Sequence, residues 1–292
     1  MNEQGLLPGA ARNTVYIFPI QLSNYPTIQL YYEGEMMALE KITLQINGQE
    51  VQAEAGQTLL QVAREVGVFI PTLCHHEALA PFGACRLCLV EVEKEGRRNL
   101  EAACSYPAEG GIAFFTETPE VIRVRKMVIA LLLSRCPQVP LIRAIATRLG
   151  VDENLLPLKG SKEDEECILC GRCVRVCREA IGKHAVSFAY RGTERCVTTP
   201  FGDHSPDCIG CTACVFVCPT GAVKVTQRGN KNYLDPWNTD VSLVNCDACG
   251  RSFIPEKVLA HLLGQQAVAA GKEPLCPICR RKETAAAFSQ LK

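Results

Sequence analysis

Cys167-Ile168-Leu169-Cys170-Gly171-Arg172-Cys173-Val174-Arg175-Val176-Cys177 and Cys208-Ile209-Gly210-Cys211-Thr212-Ala213-Cys214-Val215-Phe216-Val217-Cys218-Pro219 are one pattern written twice, 41 residues apart. Each reads C-x2-C-x2-C-x3-C, three thiols in a compact run and a fourth just beyond it. Such a run wraps an iron–sulfur cubane, and its fourth cysteine reaches across to the neighbouring one. The spacing predicts two [4Fe–4S] centres, one on Cys167, Cys170, Cys173 and Cys218, the other on Cys208, Cys211, Cys214 and Cys177. Crossed ligation requires the repeats to pack as a pseudo-two-fold pair. Ile168 and Ile209 hold equivalent positions and are expected to shield the centres from water.

The remaining cysteines continue the division into fours. The chain has 18 cysteines in 292 residues, and only Cys136 and Cys196 fall outside a quartet. Cys74, Cys85, Cys88 and Cys104 read C-x10-C-x2-C-x15-C, which resembles the [2Fe–2S] domain at the start of the complex I large iron–sulfur subunit, and that resemblance implies one [2Fe–2S] centre here. Gly83 and Ala84, just before Cys85, let backbone N–H groups approach inorganic sulfide. His75 and His76 follow the first of these thiols and are expected beside the site, since four thiols already saturate it. Cys246-Asp247-Ala248-Cys249 and Cys276-Pro277-Ile278-Cys279 form two C-x2-C knuckles separated by 26 residues. Two such knuckles, each on a tight turn, complete a tetrahedral site, so a structural Zn²⁺ is expected, with a third [4Fe–4S] centre as the competitor. So short a module has little core, and metal binding supplies its folding energy. Cys196 is expected to be a free structural thiol.

The frame around the first quartet is legible. Lys41–Ile46 alternates polar and apolar residues, Asn47-Gly48 signals a tight hairpin, and Glu50–Ala55 returns. Thr58 opens a helix carrying Leu59, Val62, Ala63 and Val66, with Gly67 at its C-cap. Leu87–Val92, Asn99–Ala103 and Ile112–Phe115 supply three more strands. That order predicts an α+β multidomain chain beginning with a β-grasp [2Fe–2S] domain over 38–116. An irregular leader, 1–37, precedes it, with an edge strand around Val15–Ile20 and a true start expected at Met36 or Met37. A helical linker (117–160) starts at Thr118 and Pro119, with Val121, Val124, Val128, Leu131 and Leu132 on one face and a second helix over Leu141–Leu149. The dicluster domain spans 161–228. The zinc-ribbon-like module spans 229–292, with a helix over Pro255–Leu263.

Composition narrows the function. Lys+Arg and Asp+Glu balance at 31 each, so no basic field points to nucleic acid or an anionic membrane. No apolar stretch approaches the length of a membrane helix. The N-terminal text lacks the basic start and apolar core of a secretory signal, so a cytoplasmic, reducing setting is expected, where clustered thiols bind metals. No G-x-G-x-x-G or G-x-x-x-x-G-K-[ST] motif is present, so no dinucleotide or phosphate fingerprint accompanies the cysteines. The chain reads as non-catalytic alone.

Residues 40–228 resemble, in domain order, spacing and local text, the N-terminal region of the complex I large iron–sulfur subunit, [FeFe]-hydrogenases and the small diaphorase subunit of bidirectional hydrogenases. His184–Gly192 and Thr199-Pro200-Phe201-Gly202 look like the corresponding insertion in those families. One departure stands out. The families hold a further [4Fe–4S] centre on one His and three Cys, and here Leu131-Leu132-Leu133-Ser134-Arg135-Cys136-Pro137 puts Cys136 at the His position with no cysteine until Cys167. That centre is therefore expected to be absent. The resemblance implies an electron-transfer subunit relaying single electrons between a flavoprotein that handles NAD(P)H and a catalytic subunit (hydrogenase, formate dehydrogenase or heterodisulfide-reductase-like). A stand-alone ferredoxin-type carrier is the alternative, but the neutral charge and the C-terminal module favour the subunit. A zinc-dependent nucleic-acid regulator would need a basic stripe that is missing.

Overall fold

The computed structural model describes residues 40–151, 165–265 and 274–289. The leader, its edge strand and the end of the helical linker lie outside these residues. Strands β1 (Lys41–Ile46) and β2 (Gln49–Glu54) pair antiparallel about Asn47 and Gly48, at φ 51° and 85°. Both sit in the left-handed region, which the short hairpin turn demands and Asn-Gly supplies most cheaply. Asn47 also works at long range: its Oδ1 accepts from the Thr116 N–H at 2.8 Å and its Nδ2 donates to Thr116 Oγ1 at 2.9 Å. The turn thus ties down a segment 69 residues further along the chain.

Helix α1 (Leu59–Glu65) begins with a reciprocal cap. Thr58 Oγ1 accepts from Gln61 N–H, and Gln61 Oε1 accepts from Thr58 N–H at 2.7 Å. Its C-cap is Val66, and Gly67 follows at φ 77°. Strands β3 (Leu89–Lys94), β4 (Arg97–Ala102) and β5 (Ala113–Phe115) complete a five-stranded sheet in the order β2-β1-β5-β3-β4. Only β1 and β5 run parallel. Leu44, Ile46, Leu59, Leu60, Val62, Val90, Val92 and Phe114 are buried between sheet and helix, and Cys88 and Cys104 belong to the same core. Each such aliphatic or aromatic side chain contributes roughly 1.5–3 kcal/mol through burial.

Helix α2 (Pro119–Arg135) is capped by Thr118, whose Oγ1 accepts from Val121 N–H at 3.2 Å. Of the expected face, Val121 is buried and Val124, Val128 and Leu132 pack against the cores, but Leu131 is 49% exposed, and Arg125, Ile129, Ala130 and Leu133 are buried beside them. The face is set by Arg125, which donates to Leu89 O at 2.7 Å and Thr116 O at 2.9 Å and so fixes the helix rotation against the sheet. Helix α3 (Pro140–Leu149) follows and ends at Gly150, φ 61°. These two helices do more than link. Leu73, Cys74, Leu87, Ile129, Cys136, Ile142, Ile168 and Cys170 form one apolar cluster running from the first cysteine loop to the first repeat.

The repeats form short helices, α4 (Arg172–Arg175, continued by a wider turn over Val176–Ala180) and α5 (Ala213–Val217). Between them β6 (Ser187–Ala189) and β7 (Cys196–Thr198) make a small hairpin. A four-stranded antiparallel sheet, absent from the sequence-based expectation, follows: β8 (Lys224–Arg228), β9 (Lys231–Asp235), β10 (Thr239–Asn245) and β11 (Ser252–Pro255), in the order β11-β10-β9-β8. The β8–β9 hairpin runs across residue 229, so the C-terminal cysteines share a sheet with the dicluster region. Helices α6 (Glu256–Gln265) and α7 (Pro277–Ser289) complete the described fold. Among the described residues no helix is long and apolar enough to cross a membrane.

Candidate iron–sulfur and metal centres

Cys74, Cys88 and Cys104 are buried and Cys85 half-buried. The Cys85 N–H donates to Cys74 Sγ at 3.4 Å. Cys85 is pushed up by its contact with the Cys74 sulfur and then by burial. Cys104 touches Cys74, which lowers it, and Cys88 and burial, which raise it, leaving it at about 11. The Cys88 thiol is lowered, chiefly by Cys104. Four thiols this close repel one another as thiolates, and a cationic metal core is what makes four thiolates tolerable together. This set fits such a core.

The two repeats place their thiols by one backbone device. Leu169 and Gly171 in the first, Gly210 and Thr212 in the second, all have positive φ: 54°, 72°, 73° and 60°. These positions match across the repeat. Left-handed residues curl each loop so that N–H groups turn inward: Leu169 N–H faces Cys167, Arg172 N–H faces Cys170, Gly210 N–H faces Cys208 and Ala213 N–H faces Cys211. Such concave N–H arrays favour anionic sulfur. Holding Leu169 and Thr212 there costs about 1–3 kcal/mol each, which the surrounding packing must offset.

A cavity of about 320 Å³ is lined by Cys167, Cys170, Cys173 and Cys218. Ile168, Arg172, Cys196 and Trp237 complete its wall. Burial pushes Cys170 up to about 11 against the Arg172 N–H and guanidinium, which lower it, while burial and then the thiols of Cys170, Cys167, Cys214 and Cys218 raise Cys173. The other four gather separately. Burial raises Cys214 to about 12 against the Trp237 indole, and its thiol neighbours are Cys211, Cys208 and Cys177. Ile168 and Ile209 are both buried. Cys196, expected to stand apart, begins β7 and lines the first cavity. Cys136 is fully buried among apolar side chains, and burial pushes its thiol up to about 12. His75 is held near 4 by burial and then by Arg64.

The fourth quartet is drawn tightest. The sulfurs of Cys246, Cys249, Cys276 and Cys279 all lie within 4.8 Å of one another, and Cys249 and Cys276 are 3.8 Å apart. The first knuckle is the β10–β11 connection, closed by Gly250 N–H to Cys246 O at 2.8 Å. The second departs from the expected tight turn: Cys279 stands in the first turn of α7, with Arg280 N–H on Cys276 O at 2.9 Å. Cys246 is lowered to about 6, first by the Cys276 N–H at 3.2 Å, while Cys279 is raised to about 12 by the thiols of Cys249 and Cys276. Four sulfurs drawn this close, with one thiol lowered and another raised by the rest, are an arrangement a cation completes.

Trp237, Arg172 and Arg175 are the site residues that cysteine spacing did not single out. Trp237 belongs to the core with Cys173, Cys177, Cys208, Cys214 and Cys218, yet follows the last repeat cysteine by 19 residues. No sequence signal marks it beyond its being the single tryptophan.

Comparison with known proteins follows the same division. Residues 40–119 match the 2Fe-2S iron-sulfur cluster binding domain and residues 166–222 the 4Fe-4S dicluster domain. The chain is 32% identical over 235 residues to the NADH-quinone oxidoreductase G 2 polypeptide of Rhizobium meliloti, covering 72% of this chain and 27% of that one. It is 32% identical over 215 residues to the HndD polypeptide of the NADP-reducing hydrogenase of Solidesulfovibrio fructosivorans, covering 63% and 36%. It thus spans about a quarter to a third of the length of these curated relatives. Among solved structures, a chain of an NAD+-reducing [NiFe]-hydrogenase aligns with a TM-score of 0.50 at 25% identity, over 62% of this chain and 85% of that one. The chain therefore carries a 2Fe-2S iron–sulfur cluster binding domain followed by a 4Fe-4S dicluster domain, and is a homologue of these NADH-quinone oxidoreductase and NADP-reducing hydrogenase polypeptides.

Proposed function

We propose that this chain is an electron-transfer subunit of a multi-subunit oxidoreductase, passing single electrons between a flavin- and NAD(P)H-handling subunit and a catalytic subunit. The ligands are Cys74, Cys85, Cys88 and Cys104 in a β-grasp [2Fe–2S] domain, and the two crossed cubane sets named above. When bound, such clusters supply one-electron exchange with little rearrangement. The chain's own residues hold the thiolates with inward N–H groups, exclude water with Leu87, Ile168 and Ile209, and keep the sites adjacent.

The observation that carries this reading is the continuity between the first two sites. Cys74 and Cys170 share one apolar cluster, and Arg175 Nη2 donates to Cys74 O at 2.6 Å. Electrons therefore have a short covalent and hydrogen-bonded route from the first domain to the second, without a centre at Cys136. Cys173 and Cys214 adjoin in turn, which continues the route to the second cubane set.

For the C-terminal quartet the 3.8 Å Cys249–Cys276 separation favours one ion. Sulfurs about 2.3 Å from a single tetrahedral Zn²⁺ lie roughly 3.8 Å from one another. A cubane binds each thiolate to a different iron and spreads the four sulfurs further. A zinc site does not conduct, so the module stabilises this end of the chain and docks a neighbouring subunit.

Anaerobically purified protein should contain about ten irons and one zinc, and its EPR should resolve one [2Fe–2S] and two interacting [4Fe–4S] signals. About fourteen irons without zinc would overturn the C-terminal assignment. Native mass spectrometry of protein captured from its own cells should show partner subunits, and a lone monomer would overturn the subunit reading.

A further inference from the structure

Arg172 and Arg175 leave the first repeat and enter the [2Fe–2S] domain. Arg175, 3% exposed, donates through Nη2 to Cys74 O and through Nη1 to Ala80 O at 2.5 Å. Its guanidinium lies 4.9 Å from the Phe82 ring centroid. Arg172 donates through Nη2 to His75 O and through Nη1 to Val217 O at 3.4 Å, and it lines the Cys167–Cys218 cavity. Every acceptor is a neutral carbonyl. Neither arginine pairs with a carboxylate among the described residues; Glu179, on the same segment, is taken by Arg178 and the Ala80 N–H. The buried charged side chains among the described residues are Arg125 and Arg175, both cations.

Burying a cation without a counter-ion costs far more than carbonyl hydrogen bonds return. Something negative must complete this region. Arg172 shares a cavity with Cys170 of the cubane set and donates to the carbonyl beside Cys74 of the [2Fe–2S] set, and the ionisable groups around it are Cys170, Cys74, the second arginine Arg175 and Cys85. Clusters held by four thiolates are net anionic, because the thiolate charges outweigh the iron–sulfide core, and reduction adds another negative charge.

We infer that Arg172 and Arg175 are a fixed counter-charge shared by two cluster sites, set between Cys74 and Cys85 on one side and Cys170 on the other, that binds the two domains together and raises both reduction potentials. The inference rests on the ligand assignment proposed above. A positive charge near a centre in a low-dielectric setting stabilises the reduced form more than the oxidised one, so the potential rises. One guanidinium acting on both sites moves their potentials together, which keeps the step between them level. The cavity that Arg172 lines includes none of Cys177, Cys208, Cys211 and Cys214.

The test is an EPR-monitored redox titration of the full chain with iron counted in every sample. Wild type is read first: absence of the [2Fe–2S] or cubane signals overturns the ligand assignment itself. With those signals present, R172Q should shift the [2Fe–2S] and one cubane to more negative potentials and leave the other cubane in place. R172K, which keeps the charge and loses the fork, should hold both near wild type. Unchanged potentials in R172Q overturn the inference, as does an R172K shift as large as that of R172Q. If R172Q fails to retain iron, full loading of R172K supports the charge role and equal loss in both overturns it.

Discussion

Val241 of β10 lies directly over Gly210 of the second repeat: a Cβ built on Gly210 would stand 2.4 Å from Val241 Cγ2. The contact joins the C-terminal sheet to the Cys208–Cys211 loop, and Lys257 Nζ adds a bond to Pro206 O at 3.0 Å. The sheet therefore packs against the loop that carries Cys208 and Cys211.

Gly210→Ala should accordingly be severe. The residue sits at φ 73°, and the new methyl meets a strand side chain. Strain and overpacking together predict a loss of about 2–4 kcal/mol, with roughly four irons missing per chain. Adding Val241→Ala should restore part of the iron, because it removes the obstructing methyls. Iron analysis and thermal melts read both effects, and a fully loaded, stable G210A would refute the contact.

Trp237→Phe keeps the ring and removes the indole N–H. That N–H is buried without an oxygen or nitrogen partner and pulls the Cys214 thiol down against burial. Hydrogen bonds to ligating sulfur raise potential. The substitution should move the cubane at Cys177, Cys208, Cys211 and Cys214 to a more negative potential at unchanged iron content. An unmoved titration curve would remove Trp237 from the tuning groups.

Cys136→Ala should leave iron content and every EPR signal as in wild type, because Cys136 is packed among Ile129, Ile142 and Ile168 in no thiol quartet. The expected effect is on stability alone, about 1 kcal/mol from a small cavity. A drop of several irons would place Cys136 among the ligands.

The C-terminal module should be acid-sensitive even without metal. Cys246 is lowered from 9.0 to about 6, so its thiolate stabilises the folded form above the ordinary thiol range. That contribution is lost as pH falls through about 6. Melts of metal-free wild type and C246S should differ most at alkaline pH and converge below that value. A gap that widened in acid would reverse the assignment of the thiolate.

Much of the first domain is legible in the sequence because its signals are local. Asn47-Gly48, Thr58 and, just beyond the domain, Thr118-Pro119 each act within a few residues, and the structure places a hairpin turn and two helix starts there. The buried face of α2 is legible except at Arg125 and Leu131: Arg125 looks like a solvent residue until Leu89 O and Thr116 O are brought to it from 36 and 9 residues away. The β8–β11 sheet is hidden for a related reason. The five residues of β8, Lys224–Arg228, are all exposed, so no alternation marks a core face.

Cysteine spacing alone determined that the chain carries iron–sulfur domains of two kinds, and it is also the ground for the proposed quartets, since a tetrathiolate site consumes ligands four at a time. Tertiary structure alone decided what surrounds those sets. Cys196 and Trp237 enter the first cavity, Val241 closes over Gly210, and two arginines cross between domains to Cys74 and His75. The physical reason is range. Ligand geometry is satisfied within a dozen residues of chain, whereas the charge and water exclusion that set a potential come from whatever the fold packs against it.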